Sequence, residues 1–148
     1  MNGEPLSRRV GLVIVAAGLG SRMGTDTRKP YLELAGRTVL AHTLDRFDEI
    51  ESIWVRVIVA RPEDREAIGE TQSQRAGRSV IDAVVPGGET RAHSVAAGVR
   101  EALRLVPDLD LIAIHDGVRP LVPTERVEAC LAVAARVGGA ILALPVRD

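Results

Sequence analysis

From Val10 to Ala16 the chain is apolar almost without a break, the pattern of a parallel-sheet strand covered on both faces. Similar runs recur at residues 53–60, 80–85, 111–114 and 140–144, which makes five strand candidates. Helix-like stretches alternate with them. Residues 38–47 place Leu40, Leu44 and Phe47 on one face, and 90–105 do the same with Val95, Val99 and Leu103. Residues 62–76 are mostly polar, and 124–137 open on Thr124 as a candidate N-cap. Strand and helix in alternation predict right-handed βαβ crossovers, hence an α/β fold of the Rossmann-like three-layer αβα kind with a mainly parallel sheet. Ligands of such sheets bind at the carboxyl ends of the strands.

No internal repeat, low-complexity tract or linker interrupts the pattern. It predicts one domain, residues 10–148, after a flexible lead of residues 1–9. The last strand candidate is followed by only 145–148, so the expectation is a domain that stops short on its C-terminal side, with no terminal helix over that edge.

Composition narrows the classes. With 148 residues and 46% hydrophobic content the chain can bury a core, so disorder is excluded. Aromatics at 2% and 19 basic against 20 acidic residues argue against a nucleic-acid binder. A site for an anionic ligand must therefore be a local concentration of positive charge. The lone Cys130, in an apolar helix-like stretch, reads as a buried small hydrophobe rather than a metal ligand or nucleophile. The polar first nine residues lack the apolar centre of a secretory signal, and no run reaches membrane-spanning length; a cytoplasmic protein without membrane partners is expected.

The candidate chemistry sits after three of the strands. Ala16-Ala17-Gly18-Leu19-Gly20-Ser21-Arg22-Met23-Gly24 follows the first; its glycines let successive backbone N–H groups approach a phosphate, and Arg22 and Lys29 supply charge. A nicotinamide-dinucleotide fingerprint is excluded by the displaced third glycine and by Ala60-Arg61-Pro62 where an acidic residue belongs; a Walker loop is excluded because no Gly-Lys-Ser/Thr occurs. After the third strand comes Pro86-Gly87-Gly88-Glu89-Thr90-Arg91-Ala92-His93-Ser94. Gly88 offers exposed N–H to a nucleotide, and Glu89 or Ser94 hydrogen bonds to a base or ribose; a plain helix cap is the alternative. The fourth strand ends in His115-Asp116-Gly117-Val118-Arg119-Pro120. Asp116 is the Mg²⁺ candidate, since that ion takes one or two carboxylates with phosphate oxygens and water, and Arg119 is a phosphate candidate. His115 reads as a packing or hydrogen-bonding residue, and His42 and His93 as surface or local contacts. A lone His-Asp pair without further ligands does not make a metal hydrolase.

Taken in order, these motifs resemble the 2-C-methyl-D-erythritol 4-phosphate cytidylyltransferases, which are α/β nucleotidyltransferases. The first loop is similar to the family's glycine-rich signature, Lys29 with Tyr31-Leu32 to its Pro-Lys-Gln-Tyr-Leu segment, and Gly87 to Val95 to its Asp-Gly-Gly…Arg…Ser-Val element. His115 to Pro120 resembles its His-Asp-Ala-Ala-Arg-Pro element, and Gly139 to Asp148 its Gly-Gly-Ile…Pro-Val…Asp element. Pro86, Pro30, Glu89 and Gly117-Val118 depart from the usual residues, and none of these removes a charge named above.

The resemblance implies that CTP and a sugar-alcohol phosphate, methylerythritol phosphate, are the substrates. Arg22 and Lys29 would stabilise charge as the sugar phosphate attacks the α-phosphorus of CTP. It implies contacts to cytidine and phosphates from Ala16, Ala17, Gly18, Gly20, Gly88, Glu89 and Ser94, Mg²⁺ on Asp116, and Arg119 facing the sugar phosphate. Family chains run on past the Pro-Val…Asp element into a dimerisation arm and a section with an arginine and a lysine for the sugar phosphate; a homodimer is implied for the full-length protein. Pentitol-phosphate and molybdopterin nucleotidyltransferases share the first loop. Those readings stay open, as does a non-catalytic nucleotide-binding module.

Overall fold

The computed structural model describes residues 8–18 and 28–145. Strand β1 (Val10–Val15) is buried along nearly its whole length because it lies between two parallel neighbours and under helices on both faces. A hairpin of β2 (Glu33–Leu34) and β3 (Arg37–Thr38) turns through Ala35 and Gly36, both at positive φ. Helix α1 (Val39–Asp45) follows, then β4 (Ile53–Ala60), α2 (Arg65–Ser73), β5 (Ala83–Pro86), α3 (Arg91–Leu105), β6 (Leu111–Asp116) and α4 (Thr124–Val137). The main sheet has the order β5-β4-β1-β6, every pair parallel.

The two faces follow from the strand period of two. Leu12 and Ile14 of β1 and Ile58 of β4 meet Leu40, Leu44 and Phe47, Ile68, and Val127 and Leu131, so α1, α2 and α4 share one core. Val13, Val55, Val57 and Val59 point the other way, with Ala102 and Val99 of α3. Gly98 is what lets α3 lie so close. A Cβ there would stand 2.4 Å from Val13 Cγ1 and 2.7 Å from Val59 Cγ2.

The expected three-layer αβα architecture is therefore present, with four main-sheet strands among the described residues rather than five. The apolar run 140–144 is not a strand. It pairs with nothing among the described residues, and Ile141 and Leu144 are almost wholly exposed; an apolar run becomes a strand only where a neighbouring backbone completes its hydrogen bonds. Thr124 is not the N-cap of α4 either. Pro123 takes that position, and Thr124 Oγ1 instead donates to the Arg46 carbonyl oxygen at 3.0 Å. Thr38 and Thr90 do cap, accepting from the backbone N–H of Ala41 and of His93. Residues 62–64 form a 3₁₀ turn before α2, and residues 80–82 precede rather than open β5. Cys130 is half-buried, less enclosed than expected. Of the lead, residues 1–7 lie outside the described residues, while Arg8 and Arg9 are held: Arg9 N donates to Asp110, its guanidinium to Asp108, and Arg8 pairs with Asp110. No helix among the described residues is long and apolar enough to cross a membrane.

Candidate active site

In the sheet, Val15 of β1 is the register partner of Val59, Val59 of Val85, and Val15 on its other side of Asp116. One row of residues thus marks the carboxyl ends of all four strands. The three sequence clusters begin on or just past that row. The chain winds from β1 outward through β4 to β5, then returns by α3 to the opposite side of β1. The reversal falls between β1 and β6, where open α/β sheets leave a crevice for ligands.

A cavity of about 360 Å³ lies there, lined by Val15, Ala16, Ala17, Gly18, Lys29, Pro30, Arg61, Gly88, Glu89, Thr90, Arg91, Ser94, Asp116 and Val118. Backbone bonds build its floor. Ala16 N donates to Val59 O at 2.8 Å, Gly87 N to Ala60 O at 2.9 Å and Gly117 N to Val15 O at 2.9 Å. Gly87 permits the closeness of the first two loops, since a Cβ on it would meet Ala17 Cβ at 2.4 Å and Ser94 Oγ at 3.0 Å. Ser94, buried at the start of α3, accepts from Gly88 N at 3.1 Å, so the Gly88 N–H, expected from sequence to be exposed to a nucleotide, is instead used to tie the loop to the helix. A second cavity, about 500 Å³, lies beside the outer edge of β5 and is walled mainly by apolar side chains with Arg61, Arg65 and Asp82. It is larger, but it contains neither the glycine clusters nor Asp116, so the chemistry belongs to the smaller one.

Ala16, Ala17, Gly18, Lys29, Gly88, Glu89, Ser94 and Asp116 are thus brought together as expected from sequence. Arg119 is not on the cavity wall; its Nε donates to Asp116 Oδ2 at 2.8 Å from the exposed rim. Gly20 and Arg22 lie outside the described residues. His115 behaves as expected of a packing residue: its ring stands edge-on to Phe47 with centroids 5.0 Å apart, and Nε2 donates to the Arg119 carbonyl oxygen. His42 makes a local contact to Leu34 O.

Two cavity arginines were missed as site residues in the sequence reading. Arg91 Nη2 donates to Asp116 Oδ1 at 3.0 Å, and Arg61 Nε donates to Ala17 O at 3.3 Å. Arg91 did carry a signal. It stands in the first turn of α3, where the helix dipole disfavours a cation and no acidic residue compensates. Partial burial pushes the Asp116 carboxyl up, yet the hydrogen bonds and charges of Arg91 and Arg119 outweigh it and hold the group below the usual carboxylate range. The carboxylate is therefore ionised at neutral pH.

Asp116 and Glu89 are the carboxylates on the cavity wall, and among the described residues no group of three or more His, Cys, Asp or Glu could hold a metal. This donor set does not suit an all-protein metal cage. Such a set is compatible only with a hard cation held chiefly by phosphate oxygens and water, with at most a carboxylate or two from the protein.

Comparison with known proteins agrees with this geometry. A family model described as 2-C-methyl-D-erythritol 4-phosphate cytidylyltransferase matches residues 10–148. The enzyme of that name from Pelotomaculum thermopropionicum is 41% identical over 140 residues, covering 95% of this chain and 58% of the relative. That from Desulforamulus reducens is 43% identical over 136 residues, covering 92% and 57%. The chain spans less than three fifths of the length of these curated relatives. A crystal structure of a 4-diphosphocytidyl-2C-methyl-D-erythritol synthase superposes with a TM-score of 0.74 at 31% identity, covering 97% of this chain and 62% of that one. The synthase from Anaerococcus prevotii gives 0.70 at 28% identity, covering 87% and 52%.

Proposed function

Because the chain belongs to the 2-C-methyl-D-erythritol 4-phosphate cytidylyltransferase family, we propose that it forms the CTP-binding part of an enzyme that joins CTP to 2-C-methyl-D-erythritol 4-phosphate. The products are CDP-methylerythritol and pyrophosphate, on the route to isoprenoid precursors. The observation that carries this reading is the cavity of about 360 Å³ at the strand ends, where the Ala16–Gly18 backbone, Gly88, Ser94, Lys29 and Asp116 converge.

In the reaction an oxygen of the sugar phosphate attacks the α-phosphorus of CTP, and the bond to the pyrophosphate oxygen breaks. No covalent enzyme intermediate is needed. The protein's task is to position the triphosphate and to stabilise the negative charge that grows on the α-phosphoryl and leaving oxygens. The backbone N–H groups following β1 suit the phosphates, and Lys29 supplies a point charge at the cavity wall. Arg22, in the same loop, is assigned the second charge by the family resemblance. Gly88, Glu89 and Ser94 suit the hydrogen-bonding edge of a pyrimidine. Mg²⁺, held by Asp116 and the phosphates, would neutralise triphosphate charge. Arg119, from the rim, would face the sugar phosphate together with residues that the relatives carry beyond the matched length. The same reading includes a homodimer for the whole enzyme and action in the cytoplasm.

The test is calorimetry of CTP with Mg²⁺ on this chain, then pyrophosphate release with methylerythritol phosphate on the whole protein. CTP binding followed by release is expected; absence of both overturns the reading. Lys29→Ala and Arg22→Ala should lower turnover about 10²–10³-fold while weakening CTP binding far less, because their role lies in the transition state. Equal losses in turnover and affinity would remove them from that role.

A further inference from the structure

The segment Arg61-Pro62-Glu63-Asp64, immediately after β4, contributes Arg61 to the cavity but has no part in the chemistry above. It occupies the place where a dinucleotide-binding fold carries its ribose-binding acid, and its contacts run elsewhere. Arg61 Nε donates to Ala17 O at 3.3 Å, at the start of the phosphate loop. Asp64, only 3% exposed, accepts from Arg61 N at 3.2 Å and is ion-paired with Arg28 Nη2. Glu63 adds a looser contact to each arginine, 3.9 Å to Arg28 and 3.4 Å to Arg61.

This short turn therefore grips the chain at two described points on either side of residues 19–27: at Ala17, two residues past β1, and at Arg28. Lys29 is the residue next to that second grip. On its other side Pro30 and Tyr31 are buried, and Tyr31 is so enclosed that burial pushes its hydroxyl up to about 12 even with the Arg28 charge nearby. The Lys29 backbone is thus held from both sides, by an ion pair before it and by core packing after it. A flexible four-carbon side chain at the cavity gains accuracy only if its backbone is fixed in this way.

We propose that Asp64 is a positioning residue for Lys29, acting through Arg28, so that the turn after β4 sets where the lysine ammonium meets the nucleotide triphosphate. The assignment rests on the reading of the cavity as the CTP site. Asp64 itself touches no substrate.

A structural role and a positioning role separate in a double variant. Arg28→Ala alone strands a buried carboxylate and lowers the thermal midpoint. Adding Asp64→Asn removes that stranded charge, so Arg28→Ala/Asp64→Asn regains most of the midpoint. Turnover does not follow. With Lys29 correctly placed in roughly a tenth of the molecules, pyrophosphate release by the whole protein should be about tenfold slower, with CTP affinity changed far less. Arg28→Lys, which keeps a cation opposite Asp64, should retain most of the turnover. The proposal is overturned if the double variant turns over as fast as the parent, or if Arg28→Lys loses as much as Arg28→Ala. Should the parent chain itself not bind CTP, the site reading falls. The grip is then judged on amide hydrogen exchange at residues 28–32, expected faster in the double variant; unchanged rates there overturn it.

Discussion

The two halves of the sheet are built from similar residues and end up in different conditions. β1 and β4 each have a strand on both sides and helices on both faces, and from Val55 to Ala60 not one residue of β4 is even half exposed. β6 has a partner on one side only among the described residues; its Ile114 is 44% exposed, and beyond α4 the run 140–144 has no partner. Charged groups divide the same way. On the α1–α2 side Arg75 is fully buried, giving Nε to Asp45 at 3.1 Å, Nη2 to Asp48 at 2.7 Å and Nη1 to Ser79 O at 2.9 Å. On the β6 side Asp116 is paired with Arg91 and Arg119, whose side chains stand mostly in water. The buried ion-pair network thus lies on the α1–α2 side, while Asp116 and its two arginines stand at the wetter β6 edge.

The sharpest way to break this contrast is at Arg75. Arg75→Met keeps most of the volume but takes the fully buried cation from Asp45 and Asp48, leaving Arg37 on the first and the half-exposed Arg78 at longer range from both. Breaking a buried pair from one side costs about 3–5 kcal/mol, and a urea titration should find a loss of that size. Arg119→Ala, by contrast, removes a partner exposed to solvent, where such pairs contribute up to about 1 kcal/mol. Equal losses at the two positions would erase the distinction drawn between the halves.

Next in size is a matched pair of apolar truncations. Ile58, fully buried on β4, should lose about 2–5 kcal/mol as Ile58→Ala, and Ile114→Ala on β6 well under half of that, because its side chain is already partly solvated. Thermal or urea unfolding of the two variants side by side checks this. A larger loss at Ile114 would mean that β6 is better covered than its exposure indicates.

Much of this was legible in the sequence for one reason: a strand buried on both faces must be apolar at consecutive positions, and the runs over β1, β4 and most of β6 say so directly. The placement of the site followed from topology, since alternating strands and helices bring successive strand ends to one rim. The run 140–144 carries the same letters and fails as a strand because hydrophobicity records a preference for burial and says nothing about whether a partner backbone is present. Arg61 was hidden for another reason: its partner Ala17 lies 44 residues away in the chain, a separation that no local pattern encodes. Although the position of Arg91 in the first turn of α3 marked it as unusual, its partner Asp116, 25 residues on, was equally out of local reach. Thr124 was misjudged locally: with Pro123 before it, the helix begins one residue earlier and the hydroxyl turns outward to Arg46.

The smallest effect separates the halves by pH. His115 sits on β6 against Phe47, with Asp116 and Arg119 as its charged neighbours, and burial, opposed by its bond to the Arg119 carbonyl and by the Asp116 charge, holds its imidazole below the ordinary value. The folded state therefore prefers the neutral ring. As pH falls through the unfolded value near 6.5 the unfolded chain takes up the proton first, so stability declines from there down to the lowered folded value and then levels. Asp45 and Asp116 act in a different window, because their carboxyls are held low, with Arg37 and Arg75 on the first and Arg91 and Arg119 on the second overcoming burial, and their contributions are lost only as pH falls through the ordinary carboxylate value toward the lowered folded ones. Between pH 7.5 and 5 the slope should then belong to His115. His115→Gln keeps a donor for the Arg119 carbonyl and cannot charge, so its thermal midpoint should vary less across that interval than the parent's. An identical slope in both proteins would place the titrating group elsewhere and remove β6 as the pH-sensitive half.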